Sequence, residues 1–169
     1  MKELTTDLSK ELINDCIQAA NQWSSLMTPY SMRAYVRAVF AFIEGNNSNL
    51  QQLCLLSNER GFISLSEKQV KLFTHRTERG KPRQTPLLEN TKNTIKILCE
   101  SHNITNPVSF DGKGWEGLVK AISIRNRLTH PKSTKDLCLT REDMQCIEST
   151  CEFYRDATVS IVSSITPAN

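Results

Sequence analysis

The stretch "WEGLVKAISIRNRLTHP", residues 115–131, carries apolar residues at helical spacing and then turns polar before a proline ends it. With Trp115 as origin and about 100° per residue, Leu118, Val119, Ala121 and Ile122 define a buried arc. Asn126 falls almost at the centre of that arc, with Thr129 close by, and Arg125 and His130 lie on its two margins. Arg127 points the other way, beside Lys120, and reads as solvated. A buried asparagine costs a few kcal/mol unless it is hydrogen-bonded. The last turn of this helix is therefore expected to open onto a cleft. Pro131 disfavours helical geometry at His130. That places the histidine at a helix C-terminus, where the dipole favours a cation.

Helical periodicity recurs on both sides of this stretch, and sustained strand alternation and hairpin signals are missing. The first helix is expected over about Thr6 to Met27, with Leu8, Leu12, Cys16, Ala20, Trp23 and Met27 on one stripe. Pro29 should open a turn. A second, central helix starts at about Ser31, is broken at "EGNNSN" (44–49) and continues from Leu50 to Leu56. Ser64 or Ser66 caps a third helix through about Thr77, and a fourth spans about Leu88 to Ser101. "HNITNPVSFDGKG" (102–114) is turn-rich, and a fifth helix runs from Trp115 to the quoted terminus.

The last helix covers about Thr140 to Ile165. Its Met144, Ile147, Cys151, Tyr154, Thr158, Ile161 and Ile165 form a narrow seam that suits packing within the bundle or across a dimer. Glu142 and Asp143 suit its first turn, and Asp136 suits a turn before it. The expected architecture is all-α: one domain over residues 1–169, a helical bundle of about five or six helices.

A chain of 169 residues can bury a core without staples. Its N-terminus is charged, and no run approaches a membrane span, so the expected location is the cytoplasm, with no membrane partner. The six cysteines are scattered, with no C-x-x-C and no zinc spacing, and read as small buried hydrophobes in a reducing compartment. Net charge is +3, yet residues 71–83, "KLFTHRTERGKPR", hold five basic residues against one acidic, an excess larger than that of the whole chain. Arg76, Arg79, Lys81 and Arg83 there are candidates for contacts to an RNA backbone. Phosphate-cradling and dinucleotide-binding glycine motifs are missing, and so is an acidic cluster of the two-metal kind. No metal or other cofactor is expected.

Arg125, Asn126 and His130, in "WEGLVKAISIRNRLTHP" with one long helix after it, resemble the signature of HEPN domains (higher eukaryotes and prokaryotes nucleotide-binding). That superfamily often carries Arg, a polar residue, and then His after four to six intervening positions; here four intervene. The resemblance is sharp over 115–131 and architectural elsewhere. It implies a metal-independent endoribonuclease, used as a toxin or in antiviral defence and acting as a homodimer with the motif at the protomer cleft. An antitoxin or other regulatory protein is a further implied partner. It equally admits a non-catalytic module that binds RNA or a protein. A third reading is a purely structural bundle in which Asn126 and His130 are satisfied polar groups.

The chemistry suits these residue types. RNA carries its own nucleophile, the 2′-hydroxyl, so cleavage needs proton transfer and charge stabilisation on phosphorus. Histidine serves the first and arginine, through its planar fork, the second. Asn126 would orient Arg125 or the phosphate, and Thr129 would add a hydrogen bond. One motif supplies one histidine, and neither His75 nor His102 has a comparable setting. A two-fold dimer would bring two copies of His130 to one cleft.

Overall fold

The computed structural model describes residues 2–74 and 85–165. There are six α-helices among them: α1 (Lys2–Leu26), α2 (Pro29–Glu59), α3 (Glu67–Phe73), α4 (Leu87–Ser101), α5 (Lys113–Thr129) and α6 (Arg141–Ile165). A short 3-10 turn, Thr134–Leu137, joins α5 to α6. The described residues contain no strand. The fold class is the all-α bundle that the periodicity points to. No described helix is long and apolar enough to cross a membrane.

Pro29 opens a helix and not a turn. Thr28 Oγ1 accepts from the Ser31 amide at 3.1 Å while Ser31 Oγ accepts from the Thr28 amide at 3.1 Å. This reciprocal cap leaves Pro29 at the first helical position, where its missing N–H costs nothing. Met27, with φ 48°, makes the corner between α1 and α2. Ser66 caps α3 in the same way, accepting from the Gln69 amide at 3.3 Å. The expected extension of α3 to Thr77, and the basic residues Arg76, Arg79, Lys81 and Arg83, lie outside the described residues.

The expected break at "EGNNSN" is absent, and α2 runs unbroken through it. Its amides are satisfied by neighbouring helices instead of by a turn. Asn47 is fully buried and donates to Thr91 Oγ1 of α4 at 2.8 Å. The Tyr154 hydroxyl of α6 donates to Asn47 Oδ1 at 3.0 Å and accepts from Asn46 Nδ2 at 3.3 Å. Ser9 of α1 accepts from Asn49 at 2.9 Å and donates to Asn46 at 3.2 Å. Gln51 donates to Asn90 at 2.8 Å and to Thr94 at 2.7 Å. Gly45 serves close packing: a Cβ there would lie 2.5 Å from Leu12 Cδ1.

α2 touches every other α-helix, and α5 packs along α6. Val36, Val39, Phe40, Phe42 and Ile43 supply the centre of the core. Gly114 brings α5 close to α6, since a Cβ would fall on the Phe153 ring. On α6, Met144, Ile147, Tyr154, Thr158 and Ile161 are buried, and Cys151 and Ile165 are half-buried. The seam thus faces into the bundle and is not left for a second copy. At the ends of the α1 stripe the expectation fails: Leu8 and Met27 are exposed.

Cutting the amide network should cost more than its size suggests. Asn47→Ala takes the amide from Thr91 and the shortest of its contacts from the Tyr154 hydroxyl, and is expected to destabilise the fold by about 2–4 kcal/mol in urea unfolding. Tyr154→Phe removes only the hydroxyl and should cost about 1–2 kcal/mol.

Candidate functional site

The α5 terminus is turned about its axis relative to the phase expected from the sequence. Its buried residues are Trp115, Leu118, Ala121, Ile124 and Leu128, while Val119 is 45% exposed. The true buried arc therefore centres near Ala121. Asn126, which the sequence placed on the buried face, is exposed, and so are Thr129 and His130. The early apolar residues misled the phase because Val119 sits at the solvent edge.

Arg125 instead lies within the inward-facing sector and is half-buried against α2. Its guanidinium pairs with Glu44 Oε1 at 2.5 Å and stands 5.9 Å from the centroid of the Phe40 ring. A second nitrogen donates to Asn126 Oδ1 at 3.1 Å. A carboxylate, an amide and an aromatic face thus fix the plane of the guanidinium, and about a third of its side chain stays exposed. Glu44 has no local signal in the sequence. It is an ordinary exposed glutamate of α2 until the fold sets α2 beside α5.

Thr129 does not offer its proton to a ligand: its hydroxyl donates to the Arg125 carbonyl at 2.9 Å, within the helix. His130 ends α5, its amide donating to the Asn126 carbonyl at 3.0 Å. Its ring makes no hydrogen bond to the described residues. Arg125 and His130 are five positions apart, so they leave the axis roughly 140° from each other. One chain brings Arg125, Asn126 and Glu44 together and directs His130 elsewhere.

Arg127, read from the sequence as solvated, is the residue that orders the next segment. It donates to the carbonyls of Asp136 at 3.3 Å and Cys138 at 2.6 Å, and pairs with Asp143 Oδ2 at 2.8 Å. Arg33 of α2 reaches the Leu137 carbonyl at 3.3 Å. Asp136 accepts from the amides of Lys132 and Ser133, each at 2.8 Å, which holds its carboxyl below the usual range. Asp143 caps α6 by accepting from the Thr140 amide at 3.0 Å. Both acids thus serve the turn and helix start expected of them.

The other histidine described, His102, closes α4, with Nδ1 3.0 Å from the Leu98 carbonyl and 3.1 Å from Ser101 Oγ. His75 lies outside the described residues. Grooves of about 810, 660 and 340 Å³ are lined by residues of α1, α2, α3 and α6, and none of these three includes the α5 terminus. Asn126, Thr129 and His130 are exposed, and Arg125 is half-buried.

Arg127→Ala should release the segment from Lys132 to Thr140. We expect a loss of about 1–2 kcal/mol in stability, since the ion pair and the carbonyl contacts are all part-exposed. Hydrogen exchange should quicken over residues 132–140 and stay unchanged in α2. Unaltered exchange there would show that the turn holds itself.

No protein-family model, no curated protein and no solved structure matches the chain.

Proposed function

We propose that the chain is a metal-independent endoribonuclease of the HEPN type, acting in the cytoplasm as a toxin or antiviral effector. RNA is cleaved by attack of its own 2′-hydroxyl. His130 moves protons, and Arg125 stabilises charge on the phosphorus oxygens. Asn126 and Glu44 hold the guanidinium plane. The observation that carries this reading is the α5 terminus itself: an oriented, part-exposed Arg125 bonded to Asn126, one turn before an exposed His130. The divergence of Arg125 and His130 within one chain supports a site shared by two copies, in which the histidine of one faces the arginine of the other. Arg76, Arg79, Lys81 and Arg83 would follow the RNA backbone, and an inhibitory protein partner would cover the same terminus.

A second reading, a non-catalytic module of the same type binding RNA or a protein, is favoured by one observation. No described side chain orients the His130 ring, and Glu44 already neutralises Arg125.

Incubation with RNA in EDTA, followed by mapping of new ends, separates the two. Cleavage is expected, falling by about 10²-fold or more in His130→Ala with the fold intact. Arg125→Lys should also impair it, because an ammonium cannot reproduce the fork. Binding without new ends would favour the module, and full activity in a folded His130→Ala chain would sink the catalytic assignment. The shared site requires a particle of about twice the 19.2 kDa chain mass in sedimentation at micromolar concentration. Mixing inactive His130→Ala and Arg125→Ala chains should restore part of the activity. A strictly monomeric chain that still cleaves would refute the shared site.

A further inference from the structure

Cleavage of RNA by its own 2′-hydroxyl needs two proton transfers, one from that hydroxyl and one to the leaving 5′-oxygen. His130 can serve one of them at each site. Glu44 is the titratable side chain bonded to Arg125 among the described residues, and it lies on a different helix from the motif. Only its Oε1 is engaged, by Arg125 Nη2 at 2.5 Å, and Oε2 accepts no hydrogen bond from the described residues. The carboxylate is 43% exposed, open to a ligand and to water. On the arginine, Nη2 donates to Glu44 and Nη1 to Asn126, so two of its five N–H groups are used. The rest of the fork can hold a phosphate.

We propose that Glu44 is a further catalytic residue of this site, the general base that takes the 2′-hydroxyl proton, with His130 as the general acid. The proposal rests on the endoribonuclease reading above.

Geometry makes the carboxylate a near neighbour of the reacting atoms. The attacking 2′-oxygen must come within about 3–3.5 Å of phosphorus. Its proton must pass to a group within about 2.6–3.2 Å. A phosphate on the open N–H groups of Arg125 shares that guanidinium with Glu44, and its own ribose carries the 2′-hydroxyl. His130 leaves α5 in another direction, which suits a donor to the opposite side of phosphorus, reached from a second copy.

In the reaction the Glu44 carboxylate takes the 2′-hydroxyl proton as the 2′-oxygen attacks phosphorus. The bond from phosphorus to the 5′-oxygen breaks, and the His130 imidazolium gives its proton to that oxygen. The products are a 2′,3′-cyclic phosphate and a 5′-hydroxyl, with Glu44 protonated and His130 neutral. Glu44 then returns its proton to water, and His130 takes one up. Charge follows the same course. Before the reaction Glu44 offsets the charge of Arg125. As Glu44 becomes neutral, the guanidinium faces the phosphorus oxygens with its full charge, at the moment when negative charge builds on them. The arginine thus binds the transition state better than the bound substrate, which is the condition for a faster chemical step.

The test uses the full chain and two probes: an RNA oligonucleotide, and uridine 3′-(4-nitrophenyl phosphate), whose leaving group departs without an acid. Glu44→Gln keeps the side chain's length and an oxygen that can accept from Arg125. It should slow kcat on RNA by about 10²-fold or more while RNA binding is no weaker. On the nitrophenyl ester, His130→Ala should run within about tenfold of the parent, whereas Glu44→Gln should stay about 10²-fold or more below it. Added formate should restore part of the rate to Glu44→Ala, and chloride at the same ionic strength should not. Glu44→Gln cleaving RNA as fast as the parent, or faster, overturns the proposal. So does a Glu44→Gln defect confined to RNA binding, or one that the nitrophenyl ester relieves. A parent chain that cleaves neither probe overturns the endoribonuclease reading itself and this assignment with it, whereas an active parent with an indifferent Glu44 removes only the base.

Discussion

The row of amides on α2 is the constraint on which the rest of this bundle depends. Asn46, Asn47, Asn49 and Gln51 are carried on the one helix that touches every other, and their partners lie on α1, α4 and α6. A buried amide is costly when unpaired and specific when paired. Leucines in these positions would pack, but they would permit several registers. An Asn47 held between Thr91 and Tyr154 fixes the rise and rotation of α4 and α6 against α2 at once. Helix propensity opposes this segment, with a glycine and three asparagines in six residues. Tertiary contacts override it.

The same helix positions the candidate site. One turn before the amides, α2 presents Phe40 to the core and Glu44 to its edge. Arg125 meets both, so the guanidinium is oriented by the register that the amides impose. An error of one residue in that register would move Glu44 by about 100° around α2 and separate the pair. Arg33, three turns earlier on α2, ties the same helix to the turn after α5. The site thus draws its geometry from the core and not from its own loop.

Much of the fold is legible in the sequence, and the parts that are not share a cause. The helices of the described residues follow from periodicity and capping residues, because those signals are local. The α6 seam is legible as a seam, and only the neighbouring helices decide that it closes within the chain. "EGNNSN" misleads because its turn-forming residues are stabilised by partners up to 108 positions away. The motif residues are visible as residue types, yet their facing is not. Val119 and Ile122 are apolar enough to set the phase of a helical wheel, although Val119 meets water. Arg127 looked idle for the same reason, since its partners are backbone carbonyls, which no side-chain pattern encodes.

Arg125 and Arg127 differ by two positions, so on a helix they diverge by about 200°. One reaches α2 and the other the segment before α6. The last turn of α5 is therefore clamped on both flanks. Pro131 ends the helix, and Asp136 ties down the amides of Lys132 and Ser133 just beyond it. Between these restraints the backbone of His130 is fixed, by its own amide behind and by the Asp136 turn ahead. Its ring meets no described partner. This side chain makes no hydrogen bond to the described residues, whereas its backbone is held on both sides. Rigid presentation of an uncommitted imidazole is what proton transfer to an external group demands.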